Sequence, residues 1–485
     1  MTEGTTSGPV GPAIAPTENV PPVAPARDRP RARRRADELT FRLDDAYVER
    51  LAAGSPDWLA EDRRSALARF RATPLETNQL YTPYLDLRNA RLEEVEPQPR
   101  QDVRDTPATV ATDDIAASAA FEESDLHSIG LTDAARRAGV TVEPLTAFVG
   151  RAAGEAQRLL TNDPPIATGD ALAELARAGW NQGVVVRVPS GARLDRPIVV
   201  RWTAGTPGRA VLTRTIIELG DGAEASFVEE LVPPASTGAR TGEAADARPQ
   251  SLFAGTTEVR IGAHARLGLA SLQELGPDTV VFQSRTARIG EGADLRWALA
   301  QLGGRLVRSR VDNVLIGDRS TVEQTEIVFG TADQLFDLTS YTRHRGRDTT
   351  GHLLSKGVLL DESRTFMKGM ITIEKTAVGT DSFLGEFGMN LSKKARAVAI
   401  PSLEIDQPDC RRAAHSSSVG PIDETQLFYL ESRGIPPAEA RKFIVLGFLE
   451  PVVVRVPLED AQDRLRDALD AKWEASFRPE ADAAA

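Results

Sequence analysis

One short phrase recurs along the chain between Val188 and about Gly420, and a recurrence limits the available folds more than any single motif does. An aliphatic residue is followed by two or three small or polar turn residues, then usually Ala, then alternation. The phrase occurs as Val188-Pro-Ser-Gly-Ala192, Leu219-Gly-Asp-Gly-Ala223, Ile261-Gly-Ala-His-Ala265 and Ile289-Gly-Glu-Gly-Ala293. Weaker copies stand at Ile316-Gly-Asp-Arg-Ser320, Leu360-Asp-Glu-Ser-Arg364 and Leu391-Ser-Lys-Lys-Ala395. Start to start, the spacings are 31, 42, 28, 27, 44 and 31 residues. A period of a few tens of residues, lengthened at two points, is the pattern of stacked repeats. Each copy is flanked by period-two runs such as Val184–Val188 and Leu212–Ile216. Such runs are strands with one buried face, and Gly beside Asp or Glu supplies the tight turn between them. The pattern predicts a mainly β chain folded as a solenoid; a β-sandwich, which also alternates strands and turns, is the alternative.

The flanking segments read differently. Residues 1–36 are rich in Pro, Ala and Thr and end in a basic run from Arg27 to Arg35, a composition that predicts a disordered, solvated tail. Residues 37–179 predict a helical region with a linker. Phe41, Leu43, Ala46, Val48 and Leu51 form one apolar face, Ser55-Pro56-Asp57 is a helix start with Ser55 as N-cap, and Pro74 is the stop. Residues 90–120, with three prolines, read as a loop; Thr132–Leu160 and Asp170–Gly179 read as helices. The strand core is expected over 180–420, with a surface insertion at 232–250. Residues 421–478 return to helical periodicity: Gly434 fits a helix end, Pro436-Pro437 opens the next helix, and Leu458–Phe477 closes the segment. Residues 479–485 predict a frayed tail.

Composition and motifs then exclude functions. A net charge of −12 and a pI near 5.2 argue against nucleic acid as a partner. The single cysteine, Cys410, rules out a disulfide framework and fits a reducing compartment. No apolar run approaches a membrane span, and Arg33-Arg34-Arg35 is followed by polar residues rather than an export segment, so the expectation is a cytoplasmic protein. There is no phosphate-binding loop, nucleophile elbow or H-E-x-x-H helix, so the chain should not hydrolyse ATP itself, and no catalytic residue stands out. The five histidines are His127, His264, His344, His352 and His415; with one cysteine they give no four-ligand spacing for zinc or an iron–sulfur cluster. His344 and His352 lie in polar, turn-like sequence and read as turn or solvent-facing residues. The remaining focus is Asp409-Cys410 to His415-Ser-Ser-Ser418, where a soft and a borderline metal ligand stand close in sequence. A lone Cys is more often a small buried apolar residue, and a lone His a satisfied one.

Three groups of motifs carry a resemblance to a known family. Gln426-Leu-Phe-Tyr-Leu430, Ser432-Arg-Gly-Ile-Pro436 and Ala438-Glu-Ala-Arg441, with Lys356-Gly357, Pro401-x-Leu-Glu404 and His415, resemble the SufB/SufD family of iron–sulfur cluster assembly proteins. So do Pro56-Asp-Trp-Leu59, Arg63, Ala66, Phe70 and Pro74-Leu75 upstream, and Trp180-Asn-Gln-Gly183, Val188-Pro-x-Gly191 and Pro197-Ile198 at the entry to the repeats. The resemblance spans residues 40–475 and is most specific over 350–450. It implies a right-handed parallel β-helix flanked by helical segments. It also implies a non-catalytic scaffold that pairs with a SufB-like paralogue and docks a SufC-type ATPase. Between the paralogues, Ala395 stands where SufB has a cysteine and Ser416 where SufB has a Glu, so the chain is most similar to SufD, with a divergent SufB-like member as the alternative. The resemblance assigns His415 to a nascent cluster shared transiently with the partner; Cys410 is the weaker candidate, on residue type alone. It assigns ATPase docking to the C-terminal helices, with Leu427, Phe428, Tyr429, Arg433, Phe443 and Phe448 as candidates. Flavin in such a complex is left open, and a homodimer is an expectation for the isolated chain. A secreted β-helix carbohydrate-active enzyme is the distant alternative, disfavoured by the missing export signal and by aromatics at 5%. A hexapeptide-repeat transferase would need a strict six-residue period.

Overall fold

Alternating residues build strands here, and the strands stack in parallel register instead of folding into hairpins. The computed structural model describes residues 38–75, 85–97, 114–162, 169–235, 249–456 and 459–476. The tails expected at 1–36 and 479–485, and residues 236–248 of the expected insertion, lie outside these.

The chain enters through α1 (Asp45–Ala52), whose N-cap Asp44 accepts the Tyr47 N–H at 2.6 Å, and α2 (Asp57–Ala72). Ser55 is not the N-cap of α2: Pro56 holds that place, and the Ser55 hydroxyl donates to the Leu51 carbonyl at the end of α1. A short β1 (Glu96–Pro97) follows, then β2 (Ala117–Glu122), β3 (Asp125–Leu131), α3 (Asp133–Arg137), β4 (Thr141–Pro144), α4 (Leu145–Arg151), α5 (Ala153–Gln157) and α6 (Ala171–Gly179). Two expectations are corrected. The 90–120 loop contains β1 and the start of β2, and the Thr132–Leu160 helix is cut by β4. In β4 the run Thr-Val-Glu-Pro alternates, and its strand pairs antiparallel with the first core strand.

Sixteen strands then make eight coils, each coil giving one strand to each of two sheets. The first sheet takes β5 (Gln182–Val188), β7 (Arg209–Leu219), β9 (Ser251–Ile261), β11 (Thr279–Ile289), β13 (Leu306–Leu315), β15 (Leu335–His344), β17 (Arg364–Ile373) and β19 (Arg396–Ile405). The second takes β6 (Ile198–Thr203), β8 (Glu224–Val232), β10 (Arg266–Gln273), β12 (Asp294–Gln301), β14 (Thr321–Gly330), β16 (Thr350–Leu359), β18 (Asp381–Asn390) and β20 (Arg412–Gly420). All neighbours among them pair parallel. The expected mainly β, parallel solenoid with helices at both ends is what the chain forms.

Because parallel neighbours keep the same pleat, residues of like position stack into columns running through the coils. Inward columns such as Val281, Val307, Phe336 fill the space between the sheets, and this is the main core. Outward apolar residues of the first sheet (Leu212, Ala254, Val280, Phe282) lie under α1, α2 and α6. Those of the second sheet (Ala270, Ala298, Ile327, Val358) lie under the C-terminal helices α8 (Pro437–Val453) and α9 (Glu459–Ser476), with α7 (Glu424–Ser432) packed against α8. The Asp170 carboxylate caps α6 and takes both guanidinium nitrogens of Arg308 at 2.8 and 3.0 Å, fixing that helix on the sheet. Burial opposes ionisation of Asp170, yet Arg308 and Arg310 hold its carboxyl well below the usual range.

The repeated phrase is the corner from the first sheet to the second. At the first seven such corners, though not at the eighth between β19 and β20, one residue has a left-handed backbone: Gly191, Gly222, His264 (φ 59°), Gly292, Arg319, Asp348 and Gly379. Its N–H donates to the residue just before the equivalent position one coil on, as from Gly222 to Ala263, His264 to Glu291 and Gly292 to Asp318. The corners thus zip together like an extra strand. The phrases at 360 and 391 are instead corners back from the second sheet to the first, half a coil out of step. The true sixth corner, Arg345–Thr349, lacks the aliphatic lead and the Ala. His344 just before it is correspondingly not a turn residue: it ends β15 on an inward column between Leu315 and Ile373 and is fully buried.

Candidate functional site

A stack of strands has two ends, and these two differ. At the N-terminal end β4 runs antiparallel to β5 and β3 antiparallel to β2, so the first coil is covered. At the other end β19 and β20 are the outermost strands of their sheets, with no strand beyond them among the described residues. Their outer edges present unpaired backbone groups, which favour pairing with another chain. Pro401 in β19 offers no N–H, as suits an edge. Ile405 and Val419 on these strands are 45% and 40% exposed.

Register gives the direction of each residue on β20. Leu384 of β18 is buried in the interior, and His415 is its neighbour in β20. The imidazole therefore continues the inward column Leu269, Trp297, Gln324, Leu353, Leu384 and faces the lumen, exposed only because the stack stops there. Ser416 alternates outward and Ser417 inward. Across the lumen, a side chain on Gly369 would run into Leu384 and Glu386. Pro401 is in register with Gly369, so it faces His415 and Ser417. The open end is thus a small cup walled by His415, Ser417, Ala399 and Pro401.

The floor of that cup holds a residue sequence reasoning missed. Glu386 is 1% exposed, lies on the column of Ser417, and accepts the Ile400 N–H at 2.8 Å. Gly369 makes the room: a Cβ there would lie 2.9 Å from the Glu386 Oε1. Burial pushes this carboxyl up to about 8, the Ile400 hydrogen bond only partly opposing it. No signal in the sequence singles it out, because its inward column is already largely polar, running Glu229, Ser271, Leu299, Glu326, Ser355, Glu386.

Cys410 sits elsewhere. The Asp409 carbonyl accepts the Gly379 N–H, which puts Cys410 at the corner position of the last coil, half-buried against Leu353, Ile371 and Leu403. His415 lies three residues into β20, about 10 Å of strand beyond Arg412, so with ligand bonds of about 2 Å the two cannot share one ion. Outside the lumen, Arg412 donates to His352 Nε2 at 2.7 Å and to Asp381 at 2.8 Å, tying β20 to β16 and β18. Among the described residues no three His, Cys, Asp or Glu side chains converge as metal ligands.

The docking candidates divide by burial. Phe428 (70%) and Phe443 (58%) are exposed with Tyr429, and Arg433 lies over the Tyr429 ring at 5.2 Å. Leu427 is buried, and Phe448 packs partly against the core under α8. Lys356 donates to the Phe448 carbonyl at 2.6 Å with its ammonium 4.6 Å from the ring, linking α8 to β16. A groove of about 560 Å³ lies in the N-terminal half of the stack, but its Arg187 and Glu218 are paired with each other at 2.9 Å.

Comparison with known proteins follows the same segment. Residues 201–448 match the family described as SUF system FeS cluster assembly, SufBD core domain. An iron–sulfur cluster assembly SufBD family protein of Mycobacterium bovis is 28% identical over 332 residues, 66% of this chain and 79% of that protein. The protein of the same description from Mycobacterium tuberculosis gives the same figures. The iron–sulfur cluster assembly protein SufD of Bacillus subtilis is 27% identical over 302 residues, 62% of this chain and 66% of that one. No described helix is long and apolar enough to cross a membrane.

Proposed function

The chain belongs to the SufBD family of iron–sulfur cluster assembly proteins, and from that premise we propose that it is a SufD-like scaffold subunit, not itself catalytic, of an ATP-driven assembly complex. Its open solenoid end pairs with the matching end of a SufB-like chain. The nascent cluster, as cargo, forms between them with His415 as this chain's ligand. The observation that carries the reading is the position of His415: it ends an inward column at the uncapped end, where a second solenoid would stack. One imidazole cannot hold a cluster, so thiolates must come from across such an interface. Ala395 and Ser416 support the SufD-like side, since neither offers a ligand. Half-exposed Ile405 and Val419 beside unpaired strand edges fit a surface that another chain covers. The exposed aromatics of α7 and α8 are the surface offered to a SufC-type ATPase, with Leu427 and Phe448 supporting them from beneath.

His415→Ala is the test. The variant should abolish cluster maturation in cells while the complex still elutes intact on a sizing column. Full cluster maturation by the variant would remove the ligand role.

A further inference from the structure

The cup beside His415 contains more than the imidazole. Glu386 is the carboxyl in its floor, buried to 1% exposure and bonded through Oε2 to a single backbone N–H. No cation stands against it. A buried carboxyl with so little around it is a poor structural choice, because desolvation is offset by one hydrogen bond only. Its placement is specific. Leu384 pairs with His415 and Glu386 with Ser417. Glu386 and His415 are therefore diagonal neighbours on one face of a parallel pair, their Cβ atoms about 8 Å apart from a strand spacing of about 4.8 Å and a two-residue rise of about 6.6 Å. Both side chains enter the lumen, and each spans roughly half that gap at ligand bonds of about 2 Å. The glycine opposite, Gly369, keeps Oε1 clear.

We propose that Glu386 and His415 form a seat for one divalent first-row metal ion, ferrous iron by its chemistry, inside the open end of the solenoid. A carboxylate with an imidazole is a hard-and-borderline pair that suits Fe²⁺, with water completing the shell. Loading displaces the Glu386 proton to solvent and forms one Fe–O and one Fe–N bond, with no change of oxidation state. The seat deepens the cluster reading and rests on it for its purpose: iron held at the end of the stack meets thiolates brought by the partner.

Anaerobic titration of the full chain with Fe²⁺, repeated with Co²⁺ as a visible reporter, tests the seat. Wild type should bind one equivalent. Glu386→Gln keeps an acceptor for the Ile400 N–H and should melt with wild type, yet bind at least tenfold more weakly, as should His415→Ala. Binding by Glu386→Gln as tight as wild type overturns the proposal, as does absence of stoichiometric binding by wild type at millimolar metal. If the Gln variant melts early, Glu386→Asp is titrated instead, and an affinity equal to wild type is then the adverse result, since a ligand withdrawn by a methylene must weaken. The two readings fail separately. A fully active His415→Ala in cells removes the cluster role, whereas tight metal binding by Glu386→Gln removes only the seat.

Discussion

His344 and Glu386 are both buried titratable groups on inward columns, and they pull the pH dependence of stability in opposite directions. Burial pushes the His344 ring down to about 4, although Asp381 favours its charge; the ring is held by Thr349 at 2.8 Å and Ser382 at 3.1 Å. The unfolded chain protonates a histidine near 6.5, so between about pH 6.5 and 4 it binds more protons than the folded chain. Stability from the neutral ring is therefore lost as pH falls through that window, by up to about 3 kcal/mol. Glu386, raised to about 8, stabilises below its unfolded value of about 4.5 and loses that contribution as pH rises through 8. His344→Gln should flatten the fall in thermal midpoint between pH 7 and 4; an unchanged slope would mean the native ring is already charged. At this scale the sequence was informative about chemistry and poor about burial. His415 and Cys410 stand out by type alone, but only register separates an inward His415 from a corner Cys410. The same blindness made His344 look like a turn residue, because Arg-Gly-Arg-Asp follows it and turn chemistry is short-ranged.

The element that repeats is the corner, and seven of the eight from the first sheet to the second use one left-handed residue. Gly fills it without strain at Gly222 and Gly292, whereas His264 and Arg319 hold φ near 59° and 56° with a Cβ present. A non-glycine residue there costs about 1 kcal/mol. His264→Gly should raise the unfolding free energy by about that much, and Gly292→Ala should lower it by more, since the added Cβ would lie 2.5 Å from the His264 ring. Thermal melts of the two variants, moving in opposite senses, check both; a loss of stability in His264→Gly would show that its ring contacts outweigh the strain. The corner also explains the part of the repeat that was misread. Asp361, on the opposite side of the coil, is left-handed too (φ 51°), so its turn resembles the others in sequence and shifted the expected register by half a coil. The helical segments were legible where caps and periodicity agreed, as at Asp170, Gly434 and Pro436-Pro437. They were not where β4 interrupted a plausible helix for the sake of pairing with β5, a long-range contact that no local pattern carries.

Across the described residues, the longer helices cover the two outer faces, while α3 packs Ala135 into the core at the N-terminal end and the β19–β20 rim stays exposed. Trp473, Leu465 and Leu469 of α9 and Val445 and Leu449 of α8 press on the second sheet, and the exposed aromatics face away. On the docking proposed for these helices, Phe428→Asp with Phe443→Asp should abolish co-purification of a SufC-type ATPase while leaving the fold intact, because both side chains are exposed. Retention of the ATPase by that double variant would move the docking surface elsewhere. Lys356 of β16 donates to the Phe448 carbonyl of α8, so the helices that carry the exposed aromatics are tied to the later coils of the solenoid.

The two ends of the stack also differ in when they come into existence. A ribosome delivers β2, β3 and β4 first, so the covered end can close as the early coils form, each new strand pairing onto one already in place. The open rim of β19 and β20 is then the last part of the solenoid to emerge, ahead of the helices that shield the second sheet. A chain still being translated has no finished rim to offer, so the pairing proposed for that rim would wait until the scaffold behind it is complete.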